Sequence, residues 1–207
     1  MNKIITISRE YGSGGRTIGE EVAKRLGFAF YNHNMIDLIA HKSGLDKGYI
    51  ENWEQQVSSP SIWDNLFVQS RGVFSRDVSS SYYYNMGKMF VVQSQIIREA
   101  AQKSSCVFVG RCADYILRDY EHSIHILIYA DEKLRLERVT TEYNEKDAFQ
   151  LLERVDQGRR NYYNQFTNQI WGDYHNYDLM LDSGSLGIKK CVDLIVAAQA
   201  EKKEEKR

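Results

Sequence analysis

The sequence is poor in several things, and each shortage excludes something. Its 207 residues include one proline and three cysteines. Cys106, Cys112 and Cys191 are odd in number and form no CxxC pair. That argues against a disulfide frame or a zinc site and for reduced thiols. The five histidines are scattered, with no HExxH and no Cys/His cluster, so no structural metal is expected. No stretch approaches the roughly 18 apolar residues of a membrane span. Met1–Ile7 runs directly into a short apolar segment and lacks the h-region and cleavage site of a signal peptide. A cytoplasmic protein without membrane contact is therefore expected. An excess of one charge is missing too. The formal net charge of -1 sets aside duplex nucleic acid as the main partner, because backbone binding needs a clustered basic surplus.

What is present is an ordinary globular balance, 43% hydrophobic and 27% charged, sufficient for one domain with its own core. Five short apolar segments read as buried strands: Ile4–Ile7, Phe28–Tyr31, Cys106–Val109, Ile124–Tyr129 and Asp178–Leu181. Ile18, Val22 and Leu26 repeat at helical spacing after the first strand, and Gly27 stands where a glycine stops a helix. Val92, Ile96 and Ala100 form a second stripe. Asp131–Glu142 opens on acids, as a helix N-terminus prefers. Ala148, Leu151, Leu152 and Val155 mark a further helix, and a last one starts near Leu186. Alternation of this kind predicts an α/β domain with a parallel sheet covered on both faces. The segment from about Leu45 to Gly87 breaks the alternation. It holds Pro60, the Ser58-Ser59 pair and the run Tyr82-Tyr83-Tyr84, and it reads as an insertion, partly helical, that caps one side of the sheet.

Directly after the first strand comes Ser8-Arg9-Glu10-Tyr11-Gly12-Ser13-Gly14-Gly15-Arg16-Thr17. Glycines permit backbone angles closed to other residues, so several N–H groups can turn around one anion. The helix N-terminus adds partial positive charge there. Against the phosphate-loop pattern GxxxxGK[ST], Gly15 and Thr17 match, Arg16 replaces the lysine and Glu10 replaces the first glycine. The expected phosphate cradle is Gly12, Ser13, Gly14, Gly15, Arg16 and Thr17, with the Thr17 hydroxyl as a ligand for Mg²⁺. A tight turn whose glycines serve packing alone is the competing reading.

Five segments carry a wider resemblance: Ser8–Gly19, Val109–Leu117, Tyr129–Val139, Glu153–Asn161 and Tyr177–Ser183. In this order they resemble the cytidylate kinase-like family of P-loop nucleoside monophosphate kinases. The resemblance implies a P-loop kinase three-layer fold with a five-stranded parallel sheet. It implies a core of residues 1–40, 88–139 and 166–200, an acceptor-side insertion at about 41–87, and an arginine-bearing lid at about 140–165. ATP with Mg²⁺ would be the donor, and a small nucleotide such as CMP or dCMP the acceptor.

Phosphoryl transfer needs alignment and charge neutralisation more than covalent help, and arginine suits both. Arg111 follows Gly110 at the C-terminal end of the third strand, where ligands of open α/β sheets gather. It is expected to hold the acceptor phosphate and to take part in catalysis. Arg16, Arg138 and Arg154 complete the expected catalytic set. Arg138 is preferred to Arg135, its neighbour on the same helix. Arg98, Arg154, Arg159 and Asp37 are further expected contacts to the substrate, Arg98 and Arg154 by resemblance. Solvated helix faces explain Arg98, Arg135, Arg138 and Asp37 equally simply. Four positions depart from the family's pattern. Leu38 stands near its arginine, Cys112 replaces its acid, and Gly158 and Asn161 replace a lid Asp and Arg. A kinase and a non-catalytic nucleotide sensor that kept the fold both remain open on the sequence.

Overall fold

A computed structural model describes residues 2–32, 35–43, 48, 76–142 and 147–201. Residues 49–75, with Pro60 and the Ser58-Ser59 pair of the expected insertion, lie outside the described residues. Strand β1 (Ile4–Arg9) leads through the glycine loop into helix α1 (Gly15–Leu26). Then come β2 (Ala29–Tyr31), α2 (Met35–Ser43) and the long α3 (Arg76–Lys103). After these follow β3 (Cys106–Val109), the short α4 (Ala113–Ile116) and β4 (Ser123–Tyr129). The chain closes with α5 (Glu132–Thr141), α6 (Ala148–Thr167), β5 (Leu179–Asp182) and α7 (Ser183–Glu201).

The five strands form one parallel sheet in the order β2-β3-β1-β4-β5. Each lies within two residues of its expected position at either end. Side chains alternate across the sheet, as the strand period requires. Ile4, Cys106 and Phe108 face Met89, Ile97 and Ala101 of α3 on one side. Ile5, Ile7, Val107 and Val109 face Ile18 and Val22 of α1 and Val192 and Ile195 of α7 on the other. β1 is central, and both faces of it are sealed.

The helix ends follow local chemistry. Gly27 closes α1 in the left-handed region at φ 67°. The Asp131 carboxylate caps α5 by accepting the Lys133 N–H at 2.9 Å. Two helices differ from expectation. α3 begins at Arg76, inside the segment read as the insertion, so the stripe at Val92–Ala100 is only its C-terminal part. α7 begins at Ser183 and is broken at Gly187, whose φ of 76° is not helical, so the helix near Leu186 is its second piece. Among the described residues no helix is long and apolar enough to cross a membrane.

The switch between the β2-β3 side and the β4-β5 side falls beside β1. In such sheets this directs ligands to the C-terminal edge of the central strands, where the glycine loop lies. Ile5→Ala should cost about 2–5 kcal/mol, because Ile5 is fully buried in the central strand. Urea denaturation measures it, and a loss under about 1 kcal/mol would mean the core is not packed as described.

Candidate functional site

The loop between β1 and α1 is built to present N–H groups. Gly12 and Gly14 have φ of 75° and 78°. A Cβ on Gly14 would stand 2.5 Å from Ile188 Cδ1 and 3.1 Å from Arg138 Nη1, so this position lacks room for a side chain as well as the backbone angle for one. No described acceptor takes the Gly12 or Gly14 N–H. Gly15, Arg16 and Thr17 open α1, where N–H groups have no intrahelical partner. Together they form an anion-binding array at a helix N-terminus. Ser13 works from inside the loop. It is fully buried, its hydroxyl donates to Glu10 O at 2.8 Å, and its O accepts from the Ser183 hydroxyl. Arg16 and Thr17 are exposed.

Beneath the loop runs a buried ion network. Asp156 of α6 is 7% exposed. One carboxylate oxygen accepts the Tyr11 N–H at 2.7 Å and Arg159 Nη1 at 3.2 Å. The other accepts Arg135 Nη1 at 2.6 Å. Arg135 also donates to Ala130 O at 3.1 Å and Tyr11 O at 3.3 Å, and its Nε lies 3.4 Å from Glu10 Oε2. Burial pushes the Glu10 carboxyl above its usual range, against the pull of Arg135. Arg135 is thus committed to shaping the loop. Arg138, one turn on, donates to Gly12 O at 2.8 Å and reaches the loop itself.

The second half of the site is the end of β3. Gly110, Arg111 and Cys112 have φ of 76°, 66° and 52°, three left-handed residues in a row. Two are not glycine, a strain that folds accept mainly where function fixes the backbone. Gln93 of α3, 2% exposed, holds this turn by donating Nε2 to Arg111 O at 2.8 Å. Its Oε1 accepts Arg111 Nη1 at 3.5 Å. Arg9 ends β1 beside it, with its head group against Gly110. Arg159 donates to Arg9 O at 2.9 Å. Burial pushes the Arg9 guanidinium well below its usual range, and the charges of Arg159 and Arg111 push the same way while Asp156 opposes. Burial lowers Arg111 as well.

The structure therefore brings Gly12, Ser13, Gly14, Gly15, Arg111, Arg138 and Arg159 to one edge of the sheet. It sets others apart. Asp37 is exposed on α2 and Arg98 is exposed on α3. Arg154 is exposed and lines a cleft of about 630 Å³ with Gln157, Arg160 and the network residues Glu10, Arg135 and Asp156. Arg9 and Gln93 are the residues that sequence reasoning missed. A charged residue closing an apolar strand, and a glutamine inside the Val92–Ile96 stripe, were the available signals.

Cys112 is buried at 5% exposure, and burial raises its thiol well above the usual range. The nearest acid to the family's position is Asp114, two residues on. It faces the core and accepts the Tyr163 hydroxyl at 2.7 Å. Burial raises its carboxyl to about 6.

The fold and loop are those of a P-loop kinase. A family model described as the cytidylate kinase-like family matches residues 4–185. The chain belongs to that family and is a phosphotransferase. Among curated proteins no sequence matches. A crystal structure of an uncharacterized protein from Eubacterium ventriosum is similar at TM-score 0.70 and 24% identity, covering 96% of this chain and 99% of that one. Shikimate kinase from Acinetobacter baumannii, in complex with shikimate, matches at TM-score 0.54 and 13% identity over 99% and 97%. Deoxyadenosine kinase from M. mycoides, with products dCMP and dCDP, matches at TM-score 0.50 and 14% identity over 96% and 99%.

Two predictions follow from the buried carboxylates. Asp156→Ala strands Arg135 without its closest partner and should cost about 3–5 kcal/mol, measured by chemical denaturation. A loss under about 1 kcal/mol would deny the network its structural role. Asp114, raised to about 6, keeps a proton in the folded state that the unfolded chain releases near its ordinary pKa. Its contribution to stability is therefore complete at low pH and lost as pH rises through about 4 to 6. Between pH 4 and 7 the wild type should lose up to about 3 kcal/mol relative to Asp114→Asn. A pH-independent gap between the two proteins would contradict this.

Proposed function

We propose that the protein transfers the γ-phosphoryl group of ATP to a nucleoside monophosphate, with CMP and dCMP the leading candidates. One observation carries this reading. Arg9, Arg111 and Arg159 meet at the C-terminal edge of β1 and β3, directly beside the anion-binding loop. The loop suits the donor triphosphate. The arginine cluster suits a second phosphate group. The fold itself does not choose, since the shikimate kinase holds shikimate and the deoxyadenosine kinase holds nucleotides.

The residues fit these ligands. The N–H array would hold the β- and γ-phosphates, with Arg138 at its rim. The Thr17 hydroxyl, exposed in the first turn of α1, would hold Mg²⁺, which neutralises charge between those phosphates when bound. Arg111 would grip the acceptor phosphate through its planar fork. Its backbone is preset by Gln93, so little orientation is left to chance. Arg154, exposed on α6, shares a cleft with Glu10, Arg135 and Asp156. The altered acceptor positions leave base selection weaker than phosphate selection. Leu38 is 43% exposed, Gly158 is buried, and Asn161 is engaged with Gln157 at 2.8 Å. Three free, buried cysteines suit a reducing cytoplasm, where ATP is plentiful.

Purified protein with ATP and Mg²⁺ should form ADP when given nucleoside monophosphates, and not with shikimate or a simple sugar. Arg111→Ala should lower kcat/KM for the nucleotide by about 100-fold. ADP formation with neutral acceptors only, or nucleotide binding without turnover on any acceptor, would overturn the proposal.

A further inference from the structure

The phosphate-loop pattern asks for a lysine, and this loop has none. Arg16 is the replacement that sequence spacing suggests, but its side chain is exposed on the first turn of α1. Arg9 is placed quite differently. Its stem crosses Gly15, where a Cβ would stand 2.5 Å from Arg9 Cβ and 3.0 Å from Arg9 Cγ. Its head lies against Gly110, where a Cβ would stand 2.0 Å from Arg9 Nη1 and 2.9 Å from Cζ. Two glycines on different elements thus leave a channel for this one side chain. Gly15 has no positive φ to explain it, so the passage of Arg9 is its structural reason.

Arg135 shows what a purely structural buried arginine looks like in the same protein. It has two carboxylates and two carbonyl oxygens within 3.4 Å. The Arg9 guanidinium makes no hydrogen bond and no ion pair with any described residue. Its strongest charged neighbours are two further arginines, Arg159 and Arg111. A half-buried guanidinium without an acceptor, pressed by like charges, is costly to fold unless an anion joins it.

We propose that Arg9 is the catalytic cation of this phosphotransferase, gripping the transferred phosphoryl group between the loop and Arg111 in place of the missing lysine. The assignment rests on the phosphotransferase reading above. In the step, the bond from the γ-phosphorus to the bridging oxygen breaks, and its electron pair stays on the nucleoside diphosphate. An oxygen of the acceptor phosphate supplies the pair for the new P–O bond. As a dianion that acceptor has no proton to lose, so no general base is needed. Arg9 stands between the two phosphate sites, where charge on the moving group is greatest. Arg159 fixes the Arg9 backbone, and Asp156 fixes Arg159.

The test compares wild type with Arg9→Gln, Arg9→Lys, Gly110→Ala and Arg16→Gln. Turnover is measured with ATP, Mg²⁺ and the best nucleotide acceptor. Binding of ADP and of inorganic tripolyphosphate is measured by calorimetry. Arg9→Gln should lower kcat by about 100-fold or more, with Arg9→Lys intermediate. Its affinity for ADP should change less than about threefold, while tripolyphosphate binds at least about tenfold more weakly. Gly110→Ala should lower kcat in the same direction by displacing the guanidinium. Arg16→Gln should cost less than Arg9→Gln. A kcat of Arg9→Gln within threefold of wild type would overturn the assignment. If wild type forms no ADP, the transfer reading falls, and the tripolyphosphate arm alone decides on Arg9. Equal affinity in wild type and Arg9→Gln, or no binding by either, then rejects Arg9 as a phosphate ligand.

Discussion

One buried carboxylate organises the site. Asp156 receives the Tyr11 N–H from the loop, Arg135 from α5 and Arg159 from its own helix. Three parts of the chain distant in sequence therefore share one acceptor. The backbone of the phosphate loop is set by a residue of the helix that the family resemblance assigns to the lid. Moving α6 away would break a buried ion pair and leave Arg135 with Glu10 alone as carboxylate partner, which ties loop shape to the position of that helix.

The rest of the electrostatics follows. The net charge of the whole chain is only -1, yet Arg9, Arg111, Arg138 and Arg159 collect at one edge of the sheet. Local field, not net charge, prepares such an edge for polyanionic ligands. The carboxylates that balance it lie below the loop and are spent on Arg135 and Arg159. On the other side, Arg9 has Arg159 and Arg111 as its strongest charged neighbours. Gly110 and Gln93 serve this arrangement, one by making room for Arg9 and the other by holding the left-handed turn at Arg111.

Much of the fold was legible in the sequence, because its signals are local. Continuous apolar runs such as Cys106–Val109 can hardly be other than buried strands, and Gly27 and Asp131 mark helix ends by chemistry that acts within a few residues. The loop was legible for the same reason. The site's internal division was not. Arg135 and Arg138 look alike on a helix, and only the packing of α6 shows that Arg135 is bound to carboxylates while Arg138 reaches Gly12. Arg98 matched by position but points to solvent, since five residues along α3 separate it from the face that carries Gln93. Arg9 was hidden by its own motif. Attention falls on glycines in a glycine loop, and the reason for Gly15 lies in a side chain six residues earlier.

The central claim is that two phosphate sites stand in line across the loop and the arginine cluster. Calorimetric titration with adenosine and cytidine joined through five phosphates tests it most directly. The ligand should bind one to one, at least about tenfold more tightly than ATP, and should exclude both ATP and the acceptor. Affinity no greater than that of ATP, with the acceptor still able to bind, would contradict it.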